Sequence, residues 1–98
     1  MDCNQTVICG KVTEIGKLRY TPAGLAVTDF TISHTSRQVE SDLPRQVECE
    51  VSAMAMSQMA KTVSSMETGT SVRLTGFLAK KSRMSMYLVL HVNKLDII

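Results

Sequence analysis

The sequence contains no tryptophan, and its aromatic residues amount to 4%: two Phe and two Tyr. Without large rings, its core must be filled by Val, Leu, Ile and an unusual complement of seven Met. No stretch approaches the roughly 18 consecutive apolar residues of a membrane span. The N-terminus, Met-Asp-Cys-Asn-Gln-Thr, has neither the basic region nor the apolar run of a signal peptide. A cytoplasmic protein that does not enter the membrane is expected. Three cysteines, Cys3, Cys9 and Cys49, are odd in number and lack Cys-x-x-Cys spacing, which argues against a zinc or redox motif. Cys9 and Cys49 fall in strand-like runs and are expected to be small buried hydrophobes. The two histidines, His34 and His91, form no His-x-x-His or His-Glu-x-x-His pair, and there is no phosphate-binding Gly-x-x-x-x-Gly-Lys loop or Gly-x-Ser-x-Gly elbow. Neither catalysis nor a cofactor or metal is expected.

What the chain does have is charge placed unevenly. The formal net charge is +2, but residues 69–98 carry five Lys or Arg against one Asp, whereas residues 1–68 carry six against eight acids. Within the basic portion, an alternating run from Gly69 to Ala79 meets Lys80, Lys81, Ser82 and Arg83, and a second alternating run leads to His91. Two strands joined by a cationic connection follow from this pattern. Three like charges in four residues repel one another unless an anion sits among them, and a nucleic-acid backbone is the obvious anion. A solvated hairpin loop kept soluble by its lysines is the alternative.

The remaining elements can be read in order. Gln5 to Ile15 is a strand, with Gly10 marking a bend or bulge. Gly16 to Gly24 is a turn-rich connection containing Pro22 and Gly24. Leu25 to Thr35 is a second strand, with Ala26, Thr28, Phe30 and Ile32 on one face and Val27, Asp29, Thr31 and Ser33 on the other. Ser36 to Pro44 is polar and reads as a mobile loop. In the third strand, from Arg45, Val47, Cys49, Val51 and Ala53 oppose Gln46, Glu48, Glu50 and Ser52. The period then changes to 3.6: Met56, Met59, Ala60 and Val63 predict a helix from Ala55 to Ser65, closed near Gly69. The fourth strand places Val72, Leu74, Gly76 and Leu78 on one face. The fifth does the same with Met86, Leu88, Leu90 and Val92, then changes phase at a bulge near Asn93-Lys94.

Five strands with one helix between the third and fourth is the element order of a five-stranded OB-fold barrel, an all-β class, here a single domain over residues 1–98. An SH3-like barrel would not use a helix at that point. OB barrels bind ligands on strands 2 and 3, between the loops joining strands 1 to 2 and 4 to 5. Both loops are basic in this chain. Lys17, Arg19, Lys80, Lys81 and Arg83 are therefore candidate phosphate contacts, with Arg45 at the start of the third strand and His34 at the end of the second. Tyr20 is either a packing residue or a stacking ring, and Phe77 is either barrel filling or a stacking ring. His91 reads as an ordinary surface or core histidine.

Two segments carry a resemblance: Arg19-Tyr20-Thr21-Pro22-Ala23-Gly24, with the strand ending Ser33-His34, and Gly76-Phe77-Leu78-Ala79-Lys80-Lys81-Ser82-Arg83. Together they resemble the primosomal replication protein N (PriB) family of bacteria, relatives of the single-stranded DNA-binding proteins. The resemblance spans essentially the whole chain. It implies an OB-fold homodimer that binds single-stranded DNA, works with the PriA helicase and other primosome proteins such as DnaT, and helps reload the replicative helicase at stalled forks. It also implies a stacking tryptophan on the third strand, where this chain has Glu48. Replacing a stacking ring with a carboxylate weakens base contacts by roughly 1–3 kcal/mol per base and shifts binding toward electrostatics. Glu48 and Glu50 accordingly keep a second function open, a protein-interaction adaptor with little affinity for nucleic acid.

Overall fold

The computed structural model describes residues 1–98. Six strands and one helix follow one another: β1 Thr6–Ile15, β2 Arg19–Tyr20, β3 Ala26–Glu40, β4 Leu43–Met56, α1 Gln58–Ser64, β5 Ser71–Lys80 and β6 Leu88–Ile97. The five long strands close on one another in the order β1, β5, β6, β4, β3 and back to β1, while β2 adds a two-residue edge to β3. This is the OB-fold barrel. No helix is long and apolar enough to cross a membrane.

Two local departures from regular pairing let the sheet close. The first half of β1 pairs with β5 and the second half with β3, and the β1–β3 register skips Thr13 between Val12↔Ile32 and Glu14↔Thr31. Gly10 sits where β1 changes partner: a Cβ there would lie 2.5 Å from the Ser33 carbonyl oxygen, so only glycine permits the crossing. In β6 the extra residue is Asn93, left out between Thr75↔Lys94 and Gly76↔Val92, at the position the phase change predicts.

The core is aliphatic. Val12, Ile32, Val72, Leu74 and Leu90 are essentially inaccessible, packed with Phe30, Ala53 and Ala55, and α1 closes the barrel with Ala60 and Val63. With so few large side chains, each matters: truncating Leu74 to Ala costs about 2–5 kcal/mol. Thr28, the buried polar residue of β3, donates its hydroxyl to the Ala60 carbonyl at 2.9 Å and so fastens the helix to the sheet. Turn chemistry agrees with the sequence at Gly24 and Gly69, both at positive φ (87° and 91°).

Four expectations are corrected. Ser36 to Pro44 is not a loop, because β3 and β4 stay in register from Val27↔Met56 out to Glu40↔Leu43. Only Ser41 and Asp42 turn, both at positive φ (52° and 63°), as a two-residue hairpin requires. The outer half of this hairpin pairs with no other strand and projects as an arm, which lengthens the molecule to 49 Å. The helix begins at Gln58, since Ala55 and Met56 still belong to β4 and the chain turns at Ser57 (φ 60°). Met86 precedes β6 and is almost fully exposed, so it does not share the inner face of Leu90. Cys9 and Cys49 are exposed rather than buried: Cys9 points outward from β1, and Cys49 lies where the arm has left the barrel.

Candidate nucleic-acid interface

Alternation along the strands gives the barrel an outer face on which the cross-strand registers line up side chains. Asp29 of β3 is opposite Met54 of β4, Met54 opposite His91 of β6, and His91 opposite Phe77 of β5. One residue row thus runs across four strands. Where it meets the β1–β2 connection and the β5–β6 loop, a cleft of about 230 Å³ opens, lined by Gly16, Asp29, Thr31, Ser52, Met54 and Lys81, among others.

Each flank is held by the backbone. Gly16 N–H donates to the Asp29 carbonyl at 2.7 Å, drawing the first connection over β3. Pairing of Arg19 with Val27 then brings the guanidinium to the Asp29 carboxylate at 3.0 Å. Both groups are about half exposed, 52% and 54%, so the pair contributes about 1 kcal/mol at most. On the other flank, Lys81 N–H donates to the Tyr87 carbonyl at 2.9 Å and closes the base of the β5–β6 loop. Inside it, Ser85 N–H donates to the Ser82 carbonyl and Tyr87 N–H to the Ser85 hydroxyl. The structure contains three ion pairs, Arg19–Asp29, Arg45–Glu40 and Arg73–Asp96. Lys17, Lys80, Lys81 and Arg83 belong to none of them and are exposed.

Not all of the sequence candidates meet here. Lys17 and Arg19 stand on one flank with Tyr20, whose ring is 60% exposed and does not pack into the barrel. Lys80, Lys81 and Arg83 stand on the other. Phe77 is not barrel filling: it projects outward, 41% exposed, with its ring stacked on His91 at a centroid distance of 5.1 Å and an interplanar angle of 8°. His34 lies elsewhere, at the root of the arm. Its Nδ1 is 2.6 Å from the Cys9 carbonyl, which can only accept, so Nδ1 carries the proton; Nε2 is 2.8 Å from the Ser36 hydroxyl. Arg45 is farther out, paired opposite Gln38, seven residues beyond Thr31 and thus about 23 Å along the strand, where it binds Glu40 at 2.8 Å. Glu48 shares the outer face but sits on the arm, exposed, accepting from Gln46.

Sequence reasoning missed His91 and Met54. Alternation alone assigns each to a face, but their adjacency depends on a two-pair parallel contact between β4 and β6 that leaves no local signal.

A closed barrel with an open strand face between two basic connections places the molecule among the single-strand-binding OB proteins, and a family described as "another single-strand binding protein family" matches residues 4–94. The replication restart protein PriB of Nitrosomonas europaea is 43% identical over 95 residues, spanning 97% of this chain and 88% of that protein. That of Bordetella pertussis is 34% identical over 91 residues, spanning 93% and 85%. The chain belongs to the PriB family of replication restart proteins. Among solved structures, PriB of Ralstonia solanacearum superposes with a TM-score of 0.88 at 30% identity over 96% of both chains. The single-stranded DNA-binding protein of Thermus aquaticus shares the fold, with a TM-score of 0.77 at 22% identity over 97% of this chain and 50% of that one.

Proposed function

We propose that this protein is a single-stranded DNA-binding accessory factor of replication restart, a single OB domain acting in the cytoplasm that binds its ligand without transforming it. The observation that carries this reading is the cationic β5–β6 junction: Lys80 at the end of β5 and Lys81 and Arg83 in the loop belong to no ion pair, and Lys81 lines the open cleft. Cations left unpaired by the fold are available to phosphates. The names of the relatives support the restart role. The same proposal includes partnership with the PriA helicase and DnaT in reloading the replicative helicase at stalled forks. Lys17 and Arg19 add to the phosphate track, and Tyr20 and Phe77 are rings on its surface. His34 and Arg45 contact DNA only if the strand continues along the arm.

The same reading includes a homodimer. From Thr6 to Gly10, β1 pairs with β5 on one side and with no strand on the other. An unpaired edge in a small barrel is a template for a second copy, and pairing about a two-fold axis would join two clefts into one longer track. Light scattering is expected to give twice the chain mass of 10.8 kDa.

A specific observation favours an adaptor as the second reading. Glu14 and Asp29 line the cleft beside Lys81, and Glu48 and Glu50 extend the acidic face along β4. Titrating a fluorescent single-stranded oligonucleotide at several salt concentrations separates the two. If about four phosphates are neutralised per chain, log K falls against log salt with a slope near −3. Absence of binding at low salt, or a preference for duplex, would leave the adaptor.

A further inference from the structure

Of the chain's four Phe and Tyr rings, Phe30 is buried in the core, Tyr20 ends the short edge strand β2 at 60% exposure, and Tyr87 stands on the β5–β6 loop at 79%. Phe77 alone is stacked on another ring, that of His91, with the two planes nearly parallel. We propose that the Phe77–His91 pair is a nucleobase-stacking platform, the place where a single strand gripped by the β5–β6 loop lays down a base. This rests on the single-strand reading above and adds to it a ligand class, the unpaired base, and a position.

Several independent features converge on the pair. Phe77 and His91 are direct cross-strand neighbours on β5 and β6, the two strands that the cationic loop joins. Lys81 follows Phe77 by four residues, with the same parity along β5 and about 13 Å beyond it, so a phosphate held by its long side chain lies within reach of a base over the ring. The rings end the row that begins at Asp29 inside the cleft, about 14 Å away at the usual spacing between strands. The fold also brings β6 close at this point. A Cβ on Gly76 would overlap the His91 carbonyl, and the bulge at Asn93 sets the register that puts His91 opposite Phe77. Two rings already held against each other lose little rotamer freedom when a base is added, which favours binding. Every base has a π-face, so such a surface accepts any sequence.

Three proteins and two ligands test this: the unaltered chain, Phe77→Leu and Phe77→Trp, each titrated with a dT oligonucleotide and with an abasic oligonucleotide of equal phosphate number. Phe77→Leu keeps the apolar bulk and removes the ring. It is expected to bind the dT oligonucleotide about ten-fold more weakly, to bind the abasic one unchanged, and to keep the same salt slope. Phe77→Trp introduces the only tryptophan of the chain, and its emission should be quenched by dT and not by the abasic strand. Circular dichroism and thermal melts confirm that each variant is folded. Unchanged dT binding by a folded Phe77→Leu, an equal loss on both ligands, or emission from Phe77→Trp that is indifferent to dT would overturn the platform while leaving the single-strand reading in place. Failure of the unaltered chain to bind either oligonucleotide would overturn both.

Discussion

The β1–β2 connection and the β5–β6 loop flank the same cleft, yet their cations are held differently. Arg19 is tied across the sheet to Asp29, so an incoming phosphate must compete with a carboxylate already in place. Lys80, Lys81 and Arg83 belong to no ion pair, although Glu14 and Asp29 line the cleft that Lys81 borders. The two flanks are both basic as text, and only the fold shows that one is partly neutralised. What matters for anion binding is charge left without a partner. Regular pairing of β2 with β3 supplies the partner on one flank, and a loop closed on its own backbone leaves the other unpaired.

That contrast can be broken most directly by removing the unpaired set. Changing Lys80, Lys81 and Arg83 together to Ala is expected to weaken single-strand binding at least ten-fold and to flatten the salt slope by about 2, since each single-strand phosphate contributes about 0.7. The melting temperature should hold, because exposed loop charges support little of the core. Unchanged oligonucleotide affinity in the folded triple variant would remove this loop from the site. A smaller effect of opposite sign sharpens the comparison: Asp29→Asn frees Arg19 and deletes a carboxylate from the cleft, and binding should tighten about two- to five-fold, the range of one exposed charge interaction. If Asp29→Asn weakens binding, the Arg19–Asp29 pair positions the site rather than restraining it. The smallest effect is expected on the arm, where Arg45→Ala breaks the bond to Glu40 about 23 Å from the cleft and should alter affinity by less than about two-fold. A loss as large as that of the loop variant would show that the strand runs along the arm.

What the sequence could reveal followed from burial. Strands with one face on the core alternate visibly, so the five long strands, the helix and the bulge at Asn93 were legible, and with them the OB barrel. The outer arm from Ser36 to Pro44 was not, because almost all of it is wet on both sides and such a strand shows no apolar period. The helix start is not marked in the sequence, because Ala53 and Ala55 satisfy a strand, while Met56, Met59, Ala60 and Val63 satisfy a helix, and only the turn at Ser57 divides them. At the site, the cations of both connections were readable from their position between strands. The pairing of Arg19 with Asp29 and the contact of Phe77 with His91 were not, since both are made by register between segments distant in the chain.

The parallel contact between β4 and β6 has a mechanical meaning. The other joins among the five long strands are longer, but this one rests on two residue pairs, Ala53↔Leu90 and Met54↔His91. It is the zip fastener's last and shortest row of teeth, the place where the barrel would first gape. Met54 and His91 are also the middle of the outer row that leads from the cleft to Phe77. A single strand bound across them would therefore straddle the seam and hold it shut.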